Sequence, residues 1–440
     1  MLDAGEKSLF NKLSVFSGGF TVEAAEAVCG DTEDTKVLDS LEVLVGSSLL
    51  QQTTDDNGDL RLSMLETIKE YGAENLAENA EAACGMNRRH AFFFLNFACK
   101  SVADLYGAKQ SEQFNRLQAE LDNFRAALEW NAHTGNADEL ALAGALSPFW
   151  NFRGYLTEGN DRLRQALAHV NAPAPEVEAT ALIALGEVIW FTGDYPLAIE
   201  QCEKSLALAR RIKHERVCAR SLFILGMSHW YQYGDGDRAT AFLEEGLNFY
   251  RKLNFDTGIT LTLVVLAAIR QSKNDLAQAE ILLDESLTAA ERAENNLTLS
   301  IALVNYGRLK FAGGDFERAE DLCRRSLMLR GKILDRWGLV QCLAPLAAIS
   351  VVKGDTPPPF CTERLTRCSN RSAHSRRRFS APTLNRASPP PAPQSVKKTS
   401  QIHSPPVKNY RSKKLSNSLS QQISKQNLPL KFGNRKQFGV

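Results

Sequence analysis

The sequence has no run of about eighteen apolar residues, which excludes a spanning helix, and its start, MLDAGEKSLF, lacks the basic region and apolar stretch of a secretory signal. The expected location is therefore the cytoplasm. Neither G-x-x-x-x-G-K-S/T nor G-x-G-x-x-G occurs, so nothing in the sequence would cradle a nucleotide phosphate. No pair among the nine cysteines has the short spacing of a zinc knuckle or a redox motif, and the seven histidines are dispersed. No cofactor and no metal is expected. With no nucleophile, base and orienting acid grouped together, the chain reads as a non-enzyme. Cys29, Cys84, Cys99, Cys202, Cys218, Cys323 and Cys342 lie mostly in apolar helical patterns and most of them read as small buried hydrophobes, whereas Cys361 and Cys368 fall in the C-terminal segment.

Charge of either sign is scarce only on average. The whole chain balances 52 basic against 51 acidic side chains, but residues 356–440 hold 17 basic and one acidic (Glu363), net +16, and residues 1–355 hold 35 and 50, net −15. That basic segment also carries 11 of the 16 prolines and shows no helical periodicity, so it cannot bury enough apolar surface to offset its ordering entropy. It reads as a disordered tail. RSAHSRRRFS and KNYRSKKLS, with Phe379 and Tyr410 for stacking, could neutralise a polyanion such as nucleic acid; a solvated linker is the plainer reading.

What the chain does have is a repeat. Gly193-Asp194, Gly234-Asp235, Asn274-Asp275, Gly314-Asp315 and Gly354-Asp355 recur at spacings of 41, 40, 40 and 40. A small residue precedes each by seven or eight positions (Gly186, Gly226, Ala267, Gly307, Ala347), and Ala198, Ala239, Ala279 and Ala319 follow the Asp by four. Seven further on stand Ser205, Gly246, Ser286 and Ser326, each followed by Leu. The unit is helix, tight turn, helix: the small residue lets the helices approach, the Gly-Asp turns and caps, and the Ala packs at the crossing. Such units resemble tetratricopeptide repeats, lengthened from about 34 residues to about 40. A weaker earlier copy ends at Gly154, with Ala166-Leu167 in the place of Ser205-Leu206. Two-helix units cannot bury their apolar faces alone, so they stack into a right-handed solenoid with a concave face.

Trp190 and Trp230 stand 40 apart, four residues after Gly186 and Gly226, and each precedes another aromatic, Phe191 and Tyr231. Two readings stand. The four rings line an inner groove as an apolar strip with polar tips, or the two Trp pack the core between neighbouring repeats.

Upstream, the apolar spacing of residues 8–16, Thr21 before VEAAEAVC, and VLDSLEVLV give three helices. SLLQQT and LRLSM then flank TDDNGD, and Asn57-Gly58 between two such runs predicts a hairpin. Three helices and a hairpin form a winged-helix order. DNA reading by this module is not expected, because the third helix carries Asp39 and Glu42 without a basic residue and the wing tip carries Asp55, Asp56 and Asp59. The expected architecture is all-α: a winged-helix module (1–78), a helical connector (79–135), the repeat solenoid (136–355) and the basic tail (356–440).

Four blocks, LFNKLSVFSGGFTVEAAEAVCG (9–30), RLSMLETIKEYGAENL (61–76), RRHAFFFLNFA (88–98) and FNRLQAELDNFRAALEWNA (114–132), resemble in sequence and order the region after the nucleotide-binding module of bacterial STAND-type ATPase regulators, among them LuxR-like and AfsR-like transcriptional regulators. The resemblance spans about residues 5–355. It implies a winged helix and tetratricopeptide-like repeats that sense a protein, peptide or small effector, coupled to an NTPase switch. The NTPase and a DNA-binding effector have no counterpart here, so the resemblance implies a sensor module, with a separately encoded NTPase domain as a partner for which the winged helix is a packing surface. A third reading carries over the family's ATP binding and transcription control, although this chain lacks the groups for either. Finally, the repeat stops at Asp355, where a second helix is due and where the charge reverses. A slip of the coding frame near Thr356 is expected, since the frame one base upstream permits an Ala- and Leu-rich helix that continues the repeat.

Overall fold

The computed structural model of the protein describes residues 2–30, 37–55, 57–332 and 336–354. Asp56, Asp355 and the basic segment from Thr356 onward, with the polyanion and frame-slip readings attached to it, lie outside the described residues.

Asp3 opens α1 (Ala4–Leu13) through a reciprocal cap: the Glu6 N–H donates to Asp3 Oδ1 at 2.8 Å and the Asp3 N–H to Glu6 Oε2 at 2.7 Å. Thr21 Oγ1 accepts the Ala24 N–H at 3.1 Å and starts α2 (Val22–Cys29), and α3 covers Val37–Gly46. β1 (Gln51–Thr54) pairs antiparallel with β2 (Leu60–Ser63), Gln51 opposite Ser63. The turn between them is fixed by the Asp55 carboxylate, which accepts the N–H groups of Asn57 and Asp59 at 2.9 Å, and by Gly58 at φ 87°. Phe20 and Leu62 exchange two backbone bonds of 2.8 Å, joining the segment before α2 to the hairpin. Leu9, Leu13, Phe16, Phe20, Leu41, Leu44 and Leu62 close the core of this winged helix.

α4 (Glu66–Ala77), α5 (Ala80–Asp104), α6 (Gln110–Ala119) and α7 (Leu121–Thr134) lead into helix pairs: α8 (Asp138–Arg153) with α9 (Leu156–His169), α10 (Pro175–Thr192) with α11 (Tyr195–Ile212), and α12 (Glu215–Tyr233) with α13 (Gly236–Lys252). They continue with α14 (Asp256–Ser272) and α15 (Leu276–Arg292), α16 (Asn296–Ala312) and α17 (Phe316–Lys332), and then α18 (Arg336–Lys353). Among the described residues the fold is all-α apart from the one hairpin.

The turns explain the period. Gly193, Gly234, Gly314 and Gly354 have φ of 86°, 65°, 84° and 79°, and Asn274 reaches 61° in the same place. This left-handed conformation ends the first helix, and a side chain beyond Asn would be strained there. The following Asp caps the second helix: Asp194, Asp235, Asp275 and Asp315 accept the N–H groups of Leu197, Arg238, Gln278 and Arg318 at 3.0–3.3 Å. Within each pair the helices cross very closely. A Cβ on Gly186 or Gly307 would lie 2.6 Å from the Sγ of Cys202 or Cys323, and one on Gly226 would lie 2.6 Å from Leu243 Cγ. Ala198, Ala239, Ala279 and Ala319 are fully buried at the same crossings, and Ala267 and Ala347 are buried in the glycine position. The serines serve as cross-ties. Ser205, Ser286 and Ser326 donate from α11, α15 and α17 to the carbonyls of Ala179, Thr260 and Ser300, each 26 residues back, at 2.8, 3.2 and 2.7 Å. In the α12–α13 pair Gly246 takes that place, and a Cβ there would meet the Leu222 side chain at 3.2 Å.

The α8–α9 pair is a looser version, with Gly154 at φ 83° and Gly159 against the Trp150 ring in the position of the later alanines. Cys29, Cys202, Cys218, Cys323 and Cys342 are buried, but Cys84 and Cys99 are exposed, because they fall on the outward side of α5. The expectation that most of these cysteines are buried holds for five of the seven described, Cys84 and Cys99 being the exceptions.

Candidate interaction surface

The first helices α10, α12, α14, α16 and α18 pack side by side in that order, while each second helix wedges between its own partner and the next first helix. The first helices therefore form the inner layer of the curve. The residue after each small helix-packing position, Glu187, Met227, Ala268 and Arg308, is half-buried and marks one face of that layer.

At its N-terminal edge this face is already covered. Arg220 of α12 grips Glu187 of α10 through two bonds, Nε to Oε1 at 2.9 Å and Nη2 to Oε2 at 2.6 Å. The turn after α5 lies against the pair. Thr257 Oγ1 donates to the Tyr106 carbonyl at 3.0 Å, the Tyr106 and Phe255 rings meet edge to face at 5.4 Å, and the Arg216 guanidinium lies over both rings. Burial pushes the Tyr106 hydroxyl pKa up, with the Arg220 and Arg216 charges pulling it back.

At the C-terminal edge the aromatics gather. Trp190 meets Phe191 at 5.2 Å, Tyr231 at 5.7 Å and Tyr195 at 6.0 Å, and Tyr195 stacks on Tyr231 at 6.1 Å. Their exposures differ. Trp230 is only 8% exposed and fills the space beside Leu243 and Ile269, so it is core and not part of an open strip. The reason is its register: at that helical angle the ring points at the start of α13, where a Cβ on Gly236 would lie 3.4 Å from it. Trp190 is half-buried, with its indole N–H enclosed and without an acceptor among the described residues. Phe191 and Tyr231 are 43% and 40% exposed and present their rings to solvent. Tyr195 joins them from α11, a neighbour that helical spacing alone does not reveal.

Farther along, Arg308 of α16 is half-buried and donates from Nη1 to Asn305 Oδ1 at 3.5 Å, while Asn305 Nδ2 donates to the Ile301 carbonyl at 2.8 Å. Burial lowers its pKa, opposed by Cys323 and Tyr231. The Tyr231 hydroxyl pKa is correspondingly raised by burial and lowered by Arg308.

The winged helix is fastened to the connector rather than presented freely. Arg61 of the wing forms a buried ion pair with Glu120 and donates from Nη2 to the Ala119 carbonyl at 3.0 Å. Asn123 donates to Glu120 Oε2 at 2.7 Å and to the Gly19 carbonyl at 2.8 Å, while its Oδ1 accepts the Ser17 N–H at 2.7 Å and the His90 Nε2–H at 3.2 Å. At the tip, Asn57 Nδ2 donates to the Glu112 carbonyl at 3.3 Å and Asn57 Oδ1 accepts from Asn115 at 3.2 Å. A cleft of about 330 Å³ runs beside this junction, with Phe93 and Phe97 in its wall and Asp55, Asp59, Arg61 and Arg116 at its polar side. Both signs of charge meet there, which favours no single ligand charge. The third helix carries exposed Leu38 and Val43 beside Asp39 and Glu42. Among the described residues no group of three or more His, Cys, Asp or Glu is placed to hold a metal ion, and no helix is long and apolar enough to cross a membrane.

These features define a winged helix-turn-helix domain followed by tetratricopeptide repeats. Residues 2–77 match the winged helix-turn-helix domain family and residues 177–252 the tetratricopeptide repeat family. Proteins named as HTH-type transcriptional regulators in Mycobacterium tuberculosis and Mycobacterium bovis are 29% identical to the chain over 265 residues. That match covers 58% of this chain and 29% of theirs, so the chain spans less than a third of these relatives. Among solved structures, a Signal Transduction ATPase with Numerous Domains (STAND) protein with a tetratricopeptide repeat sensor from Pyrococcus horikoshii superposes with a TM-score of 0.51 at 15% identity. The superposition covers 85% of this chain and 57% of that one, and it establishes the common fold.

Proposed function

We propose that the chain is the non-enzymatic sensor and interaction module of a regulator related to the signal-transducing ATPases. In this reading a protein, peptide or small effector is held on the inner layer of the repeats. The observation that carries it is the pair Phe191 and Tyr231, two exposed aromatic rings held side by side by Trp190 and Tyr195 on a rigid framework. Aromatic groups of this kind supply contact area at little entropic cost because the framework already orders them. The winged helix, whose wing is tied down on α6 and whose third helix is acidic and partly apolar, packs against an NTPase domain in this reading and leaves DNA alone.

The test is recovery of partners by the tagged whole chain from the cells that encode it, quantified by mass spectrometry. The double substitution Phe191→Ser and Tyr231→Ser should lose the specific partner, and Ile281→Ser, at an exposed position on α15, should keep it. Equal recovery by both variants refutes the groove as the binding surface.

A further inference from the structure

Where α13 gives way to α14, three residues depart from the repeat. Counted back from the small helix-packing residue, Tyr250 stands where the adjacent repeats have Ala209 and Ala290, Phe255 where they have His214 and Asn295, and Gly258 where they have Val217 and Thr298. The three changes fit one another. A Cβ on Gly258 would lie 2.5 Å from the Tyr250 ring and 2.7 Å from the Phe255 ring, so the glycine makes room for two aromatic rings that meet at 5.6 Å. What sits on this aromatic seat is Tyr106, from the turn between α5 and α6. Its ring meets Phe255 edge to face at 5.4 Å, its carbonyl accepts the Thr257 hydroxyl at 3.0 Å, and the exposed Arg216 guanidinium covers both rings at 5.9 and 5.2 Å. The turn is shaped to reach the seat, since Leu105 is rooted in the connector core and Gln110 Nε2 donates to the Leu105 carbonyl at 2.8 Å. The helices α5 and α7 pack on α8, so the turn joins the connector to the repeats a second time, at α12 and α14. This second joint is the lighter one: Tyr106 is half-buried, and Ala108 and Lys109 beyond it are exposed. A contact made of one hydrogen bond and ring edges opens before the packed helices around it unfold.

We infer that the Tyr106 turn is a strap that fastens the connector to α12 and α14 and opens while both stay folded. The winged helix is tied to the connector through Arg61 and Glu120, so a closed strap also fixes where the winged helix stands relative to the repeats. This goes beyond the groove reading and holds whatever the inner layer binds.

The experiment uses the whole chain with Cys84, Cys99, Cys361 and Cys368 replaced by Ser, which leaves the five buried thiols as an internal reference. Thr257→Cys is then added; a thiol there keeps a weak donor, and the position is only 4% exposed. Labelling by a maleimide is followed site by site in mass spectrometry. The thiol at position 257 should react while the five buried thiols do not. Tyr106→Ser should raise its rate by about tenfold or more, as should Arg216→Gln, which leaves the turn itself intact, and Tyr106→Phe, which keeps the ring, should not. In the same Ser background without Thr257→Cys, nitroxides are attached through Leu38→Cys on α3 and Ile281→Cys on α15, both exposed positions. Their distance distribution, measured by pulsed electron resonance, should be narrow and should broaden with Tyr106→Ser. Labelling at position 257 only together with the buried thiols, a rate unchanged by both Tyr106→Ser and Arg216→Gln, or a distance distribution unchanged by Tyr106→Ser overturns the strap.

Discussion

Neighbouring aromatic residues on α12 should behave in opposite ways when truncated. Trp230 is 8% exposed and packs among Leu243, Leu266 and Ile269, whereas Tyr231 is 40% exposed on the inner face. Replacing Trp230 by Ala removes a large ring that the surrounding helices cannot refill, so the transfer and cavity contributions together cost about 3–5 kcal/mol. Replacing Tyr231 by Ala removes a ring that is only partly out of water; at about 25 cal/mol per Å² over roughly half of its area, the loss is about 1–2 kcal/mol. Thermal unfolding followed by far-ultraviolet circular dichroism measures both. Trp230→Ala should lower the midpoint by on the order of 10 °C, and Tyr231→Ala by a few degrees at most. Partner binding should follow the reverse order at temperatures where both variants are folded. A Tyr231→Ala chain less stable than Trp230→Ala would refute the assignment of one ring to the core and the other to the surface.

Three further outcomes are expected. His90 is buried and neutral, its pKa lowered from 6.5 to about 4 chiefly by burial, opposed by its bond to Asn123. As pH falls through 6.5 the unfolded chain takes up a proton that the folded chain refuses until about 4, so stability present above 6.5 is lost over that window, by about 3 kcal/mol in total. Denaturant titrations at several pH values should show this slope, and His90→Phe should flatten it whatever its effect at neutral pH. Gly307→Ala would place a Cβ 2.6 Å from Cys323 Sγ and should destabilise the α16–α17 pair, by about 1–3 kcal/mol in thermal unfolding, with Cys323→Ala in the same chain restoring part of the loss. Duplex DNA should not bind a chain of residues 1–355 in fluorescence anisotropy at low salt. Binding by the whole chain that weakens steeply with salt would assign nucleic-acid contact to the 17 basic residues after Asp355.

The parts of the fold that were legible in the sequence are those set by local constraints. A left-handed residue at the end of one helix, an Asp cap at the start of the next and a small residue at the crossing recur because each copy must solve the same local problem, and Gly193, Asp194 and Gly186 show that solution most plainly. The recurring Ser205, Ser286 and Ser326 were visible as a pattern, but their cross-ties to carbonyls 26 residues back depend on how the helices are docked. The choice between core and groove for the tryptophans was open for a similar reason. Spacing places Trp230 and Tyr231 on the helix, yet only the position of α13 decides which ring is covered. Tyr106 reaches Thr257 across 151 residues of chain, and no periodicity foretells such a contact.

The groove claim is tested most directly by photocrosslinking in the cells that encode the protein. A benzophenone side chain is installed at position 231 on the inner layer, and separately at position 281 on α15, both solvent-exposed in the free chain. The account predicts a discrete crosslinked species from position 231 that disappears with the Phe191→Ser substitution and is absent from position 281. Crosslinking from position 281 alone, or equally from both, would contradict it.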